Sequence, residues 1–141
     1  MSDLKVGEAA PDLTLADQDG AEVTLSHLWS KGPLVVFFYP ADATYGCTKE
    51  VCKFRDGYED FIQAGASSIV GISKNQGGEV KKNFQKKYNL QFNLLADTAD
   101  GAANKAFKVK KQLFGLVPGR VTFVVDSDGK IQHVFSSVMD L

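Results

Sequence analysis

The chain has 141 residues and a mass of 15.3 kDa, the size of one ordinary domain, and it can bury a core without a metal or disulfide staple. Apolar residues make up 44% and charged residues 23%, with 16 Lys plus Arg against 17 Asp plus Glu. That composition excludes disorder, and a net charge of −1 excludes the long-range pull of a nucleic-acid or anionic-membrane binder.

Taken in order, Leu4 to Leu25, with turn-like Asp17-Gln18-Asp19-Gly20, predicts a short N-terminal β-hairpin. Leu34-Val35-Val36-Phe37-Phe38 is continuously apolar, the pattern of a central strand covered on both faces. Val51, Phe54, Tyr58, Phe61 and Ile62 then recur at helical spacing. Ser68 to Ile72 predicts the second strand, and Val80, Phe84 and Tyr88 the next helix. Phe92 to Leu95 predicts the third strand, and Ala103, Ala106 and Phe107 a further helix. Val121 to Val125 and Ile131 to Phe135 read as strands joined by the hairpin turn Asp126-Ser127-Asp128-Gly129-Lys130. No repeat, linker or low-complexity tract interrupts residues 1–141, and Pro11, Pro33, Pro40 and Pro118 sit at element edges. Strands alternating with helices predict an α/β fold. A thioredoxin-like sandwich fits, with a mostly parallel central sheet, an antiparallel edge and the N-terminal hairpin. Ligands in such sheets bind beyond the carboxyl ends of the strands, which singles out the segment after Phe38.

That segment holds both cysteines, Cys47 and Cys52, too few for a disulfide scaffold or a four-cysteine zinc site. The N-terminal MSDLKVGEAAPDL has no apolar signal core. The expected setting is therefore intracellular and thiol-reducing, where such cysteines are more often reactive than structural. Cys47 is expected to end a loop and open the first long helix, where unpaired N–H groups and the helix dipole favour a thiolate. The Thr44 hydroxyl, three residues earlier, is placed to bond the sulfur or a substrate oxygen, and Pro40 stiffens the start of the loop. Cys52 follows five residues after Cys47. In an ideal helix such Cα atoms lie about 8.6 Å apart, beyond the ~7 Å reach of an unstrained disulfide. A bridge between them is expected to unwind the first turn or two of the helix. The bland alternative, a small packed side chain, is weaker for Cys47 in its polar, glycine-bearing loop than for Cys52 on a helix.

The stretch Pro40-Ala-Asp-Ala-Thr44-Tyr-Gly-Cys47 resembles the active-site motif of the peroxiredoxins. With Thr-Lys-Glu-Val-Cys52 behind it, the chain resembles their Q-type subfamily, also called bacterioferritin comigratory protein. The resemblance extends to Ala10 through Leu15, Val70-Gly71-Ile72-Ser73, Leu94-Leu95-Ala96-Asp97 and Pro118-Gly119-Arg120-Val121-Thr122. It implies a thiol peroxidase acting on hydrogen peroxide and organic hydroperoxides, with no metal or prosthetic group. By the resemblance Cys47 matches the peroxidatic cysteine and Cys52 the resolving one, the two forming an intramolecular disulfide. Thr44 matches the threonine bonded to thiolate and peroxide, and Pro40 the shielding proline. Arg120 matches the arginine that stabilises thiolate and leaving oxygen, and Glu50 the acid that orients this arginine. A thioredoxin or glutaredoxin-like dithiol protein is the implied reductant, a monomer the implied state, and the cytoplasm, or a plastid after loss of a transit peptide, the implied compartment. Two departures stand out: Tyr45 replaces a proline of many relatives, and the helix usual after a segment such as Val134 to Ser137 has no counterpart before Leu141.

Two other functions fit the fold. A dithiol oxidoreductase for protein disulfides is disfavoured by the CxxxxC spacing, since fast exchange favours CxxC. A non-catalytic redox-sensing module would react with peroxide no faster than a free thiol. Asp126-Ser127-Asp128-Gly129 lacks the downstream Glu of a calcium loop and reads as a turn. Lys81, Lys82, Lys86 and Lys87, then Lys105, Lys108, Lys110 and Lys111, read as solvated helix faces, with a docking patch for an acidic reductase as the alternative. Trp29 and Phe114 read as packing residues, and Gly77-Gly78 lacks the lysine of a phosphate loop.

Overall fold

The computed structural model describes residues 2–40, 49–74, 78–110 and 121–135, with Lys49 and Glu50 described in backbone only. The elements are β1 (Thr14–Ala16), β2 (Glu22–Thr24), α1 (Leu25–Trp29), β3 (Leu34–Phe38), α2 (Lys49–Asp56), α3 (Tyr58–Gln63), β4 (Ser68–Ser73), α4 (Gly78–Lys87), β5 (Asn93–Ala96), α5 (Ala102–Ala106), β6 (Val121–Val125) and β7 (Ile131–Phe135). All seven strands join one sheet in the order β2-β1-β5-β4-β3-β6-β7.

β3, β4 and β5 are parallel, linked by crossovers through α2–α3 and α4. The flanking pairs β1/β2, β1/β5, β3/β6 and β6/β7 are antiparallel. The sheet is therefore mixed, with its parallel part confined to the centre, because β6 enters beside β3 in the opposite sense.

The continuous apolar run of β3 is buried along its whole length. Its side chains alternate between two cores, as the period of a strand requires. Leu34, Val36 and Phe38 join Leu25 and Trp29 of α1, Ala103 of α5 and Phe107 on one face. Val35 and Phe37 join Val51 and Phe54 of α2 and Phe84 of α4 on the other, with Tyr58 and Phe61 of α3 packed against them. Burying each such side chain contributes about 1.5–3 kcal/mol, so the two-faced cover of β3 anchors the molecule.

Two elements differ from the sequence-based expectation. α1 was not signalled: its one turn buries only Leu25 and Trp29, too short for periodicity to register. The helix expected through Ile62 divides at Gly57, whose φ of −94° and ψ of 5° leave the helical region. The Gly57 N–H still reaches the Lys53 carbonyl at 2.9 Å, so the apolar stripe continues across the break. The β6–β7 turn is as expected. Asp126 Oδ1 accepts the backbone N–H groups of Asp128 and Lys130, and Gly129 takes φ 80°.

Candidate active site

The described flanks of the candidate site meet at the carboxyl end of β3. Phe38, the last residue of β3, is the direct partner of Val121, the first residue of β6. The chain thus departs from β3 towards Cys47, and arrives at β6 from Arg120, at one place on the sheet. The Tyr39 N–H donates to the Ile72 carbonyl at 3.1 Å, extending the β3/β4 ladder by one residue to the half-buried Pro40. Thr44, Cys47 and Arg120 lie outside the described residues. Glu50 is the second residue of α2, described in backbone only.

Cys52 is the fourth residue of α2, half-buried, and is disulfide-bonded. Its neighbours Val51 and Phe54 are fully buried, and the Phe54 ring stacks on Phe37 at 4.4 Å. Across α2, Arg55 Nη1 donates to the Tyr88 carbonyl at 3.3 Å, tying the helix to the end of α4. These contacts hold α2 helical from Lys49 while Cys52 carries its disulfide. With Cys52 in its disulfide α2 is helical from Lys49, and the turn at Cys47, on which the expected unwinding bears, lies outside the described residues.

The sequence pattern puts Lys81 on a solvated face, and the structure corrects this. It is 3% exposed, donates from Nζ to Ser73 Oγ, and lies with Nζ 5.5 Å from the centre of the Tyr39 ring. A signal was present, since Lys81, Phe84 and Tyr88 share one helical face at i, i+3 and i+7. The other lysines of the two clusters that are described, Lys82, Lys86, Lys87, Lys105, Lys108 and Lys110, are exposed.

Asp97 also escaped the sequence reading. It follows β5 and is 3% exposed. Its carboxylate accepts from the N–H groups of Thr98 (2.8 Å), Ala103 (2.7 Å) and Asn104 (3.1 Å) and from Asn104 Nδ2 (2.7 Å). It thereby satisfies donors at the start of α5. A cleft of about 260 Å³, lined by Lys74, Asp97, Thr98, Asp100, Asn104 and Lys105 among others, opens beyond the ends of β4 and β5. On its rim the Thr98 hydroxyl, bonded to Asp100 at 2.5 Å, holds that carboxyl below its usual range. Among the described residues no cluster of His, Cys, Asp and Glu is arranged to hold a metal.

The family model described as the AhpC/TSA family matches residues 6–134. Chloroplastic peroxiredoxin Q of Oryza sativa subsp. japonica is 47% identical over 131 residues, which are 93% of this chain and 58% of that protein. This chain thus spans less than two thirds of the length of that relative. The crystal structure of peroxidoxin BcpB from Mycobacterium tuberculosis superposes with a TM-score of 0.82 at 41% identity, covering 95% of this chain and 86% of the other. A bacterioferritin comigratory protein from Xanthomonas campestris, solved in a study of its alkyl peroxide reduction, gives a TM-score of 0.76 at 29% identity, covering 98% and 88%. A shared fold, a family match over nearly the whole length and Q-type relatives on both comparisons place this chain in the AhpC/TSA family, in its peroxiredoxin Q branch.

Proposed function

We propose that the protein is a thiol-dependent peroxidase reducing hydrogen peroxide and organic hydroperoxides through Cys47 and Cys52. The observation that supports this most directly is the disulfide at Cys52, in a chain with two cysteines, on the helix that follows the Pro40 segment. The Cys47 thiolate attacks one peroxide oxygen. An S–O bond forms and the O–O bond breaks, leaving as alkoxide or hydroxide that takes a proton to become alcohol or water. Sulfur is oxidised to sulfenic acid by the two electrons the peroxide gains. Cys52 sulfur then attacks the sulfenic sulfur, water leaves and the disulfide forms. A dithiol protein of the thioredoxin or glutaredoxin kind returns both thiols by exchange. No cofactor takes part.

Within this reading Thr44 and Pro40 shape the thiolate's surroundings. Arg120 offers a permanently charged fork to the sulfur and the departing oxygen, oriented by Glu50. The pairing of Phe38 with Val121 favours these roles, since it joins the two strand ends flanking Cys47 and Arg120. The activity on alkyl peroxides of the Xanthomonas relative supports organic hydroperoxides as substrates, and the chloroplastic rice relative supports the plastid as the compartment. A monomer needs no second chain to complete this set of residues.

Stopped-flow mixing of the reduced protein with hydrogen peroxide tests the reading. Fast consumption that vanishes in Cys47→Ser is the expected outcome. Cys52→Ser is expected to react once and then stall without an added thiol. Undiminished consumption by Cys47→Ser rejects the assignment.

A further inference from the structure

Among the described residues, Thr122 Oγ1 is the buried side-chain polar atom that no hydrogen-bond partner reaches. Thr122 is 1% exposed and is the second residue of β6. The other buried polar side chains among the described residues are engaged: Gln18 by Asn93 and Leu94, Ser73 by Lys81, and Asp97 by its four donors. A buried hydroxyl without a partner is costly, and valine, of the same shape and equally suited to a strand, avoids that cost.

The place of Thr122 in the fold gives the hydroxyl a use. It is the direct cross-strand partner of Phe37, and it shares a face of β6 with Val124, which packs against the core that receives α2. The Phe37 ring stacks on Phe54, two residues beyond Cys52, so Phe37 neighbours both Thr122 and the helix that carries the disulfide. The chain that leaves β3 at Phe38, beside Val121, enters α2 on this face, and Cys47 belongs to the segment making that passage.

We propose that Thr122 poises the redox equilibrium of the disulfide. In the dithiol form its hydroxyl is hydrogen-bonded by the Cys47 segment; closing the disulfide withdraws that partner and leaves the hydroxyl orphaned, as it stands with Cys52 bonded. This role rests on the pairing of Cys47 with Cys52 in the peroxidase reading. Cysteines five residues apart on an unbroken helix have Cα atoms about 8.6 Å apart, beyond the ~7 Å reach of a disulfide, so the Cys47 end must move when the bridge closes. A cost carried by the disulfide form alone raises its reduction potential and favours its reduction by the dithiol protein that completes each turnover.

The test equilibrates full-length wild type, Thr122→Val and Thr122→Ser without oxygen at pH 7 in mixtures of reduced and oxidised dithiothreitol. In this exchange the protein S–S bond breaks and two protein thiols form, while dithiothreitol gives up two electrons and two protons and closes to its cyclic disulfide. Thiol alkylation and mass spectrometry read the fraction oxidised. Thr122→Val is expected to shift the equilibrium about tenfold towards the disulfide, a potential about 30 mV more negative. Thr122→Ser keeps the hydroxyl and is expected to stay close to wild type. Urea unfolding of both forms is expected to show that Val stabilises the oxidised protein relative to the reduced one. A Thr122→Val equilibrium indistinguishable from wild type overturns the proposal, because the hydroxyl is then equally satisfied or equally orphaned in both forms. So does a shift towards the dithiol, or a shift that Ser shares in full, which marks packing alone. If Thr122→Val does not fold, Thr122→Ala takes its place, since a stability loss common to both forms leaves the ratio unmoved, and a wild-type ratio there overturns the proposal. Peroxide consumption by Cys47→Ser, run alongside, separates the two readings. Retained consumption rejects the peroxidase assignment, whereas a dead Cys47→Ser with a wild-type equilibrium in Thr122→Val rejects only the role of Thr122.

Discussion

At the scale of single residues, Asp97 shows how one carboxylate organises a loop and a helix. Four donors converge on it, three of them backbone N–H groups that would otherwise be orphaned in a largely buried place. Asp97→Ala is expected to cost about 2–4 kcal/mol, read from urea unfolding, with the loss falling on α5 and the packing of Ala103. Nearby Asp100 behaves differently. Its carboxyl is held low chiefly by the Thr98 hydroxyl, so the stabilisation is present above the ordinary carboxylate range and is lost as pH falls through the lowered value. The protection factor of the Ala102 amide, whose N–H donates to Thr98 Oγ1 at 2.9 Å, is expected to fall in strong acid and to be unchanged between pH 5 and 7. An equal loss of protection between pH 7 and 5 would remove the linkage. Residues of this scale divide sharply in how far a sequence shows them. The Pro40, Thr44 and Cys47 spacing is written in consecutive positions. The burial of Lys81 depends on Tyr39 and Ser73, brought together only by the pairing of β3 with β4.

At the scale of elements, the strands read closest to their limits are β3 and β6, buried on both faces, and the edge strand β7, fixed by the hairpin turn before it. β3, β6 and β7 have the expected limits, while β5 begins at Asn93 because Phe92 turns its ring edge-on to Phe37 instead of extending the ladder. α1 was invisible because one turn carries too little pattern, and the Gly57 break because the apolar stripe runs straight through it. The close approach of β4 to β3 at Gly71 is another feature no spacing announces. A Cβ there would lie 2.6 Å from the Phe37 ring and 3.0 Å from Tyr39. Gly71→Ala is therefore expected to cost about 1–3 kcal/mol, to loosen the Phe37–Phe54 stack beneath α2 and to slow peroxide consumption. A variant as stable and as fast as wild type would show that the rings shift freely. α2 itself makes a further prediction. Because it remains helical from Lys49 with Cys52 in its disulfide, hydrogen exchange from Lys53 to Gln63 should match in the reduced and oxidised proteins. Faster exchange from Lys53 to Asp56 on oxidation would show that the unwinding extends into this part of α2.

For the whole molecule, the arrangement of strands decides which distant parts of the chain meet. Placing β6 antiparallel beside β3 brings Val121 to Phe38 and, at the far end of the same strands, Val125 to Leu34. The first pairing marks the reactive end. The second lies by the β6–β7 turn, where Gly129 comes so close to Trp29 that an added Cβ would sit 3.1 Å from the indole nitrogen. Trp29 belongs to the core opposite the one that receives α2. The chain's one tryptophan is thus on the other face of the sheet from α2, which carries Cys52. Its fluorescence should report loss of the native core in a denaturant series and stay silent through cycles of oxidation and reduction. Kinetic work on the reaction will need an optical signal introduced on the other face.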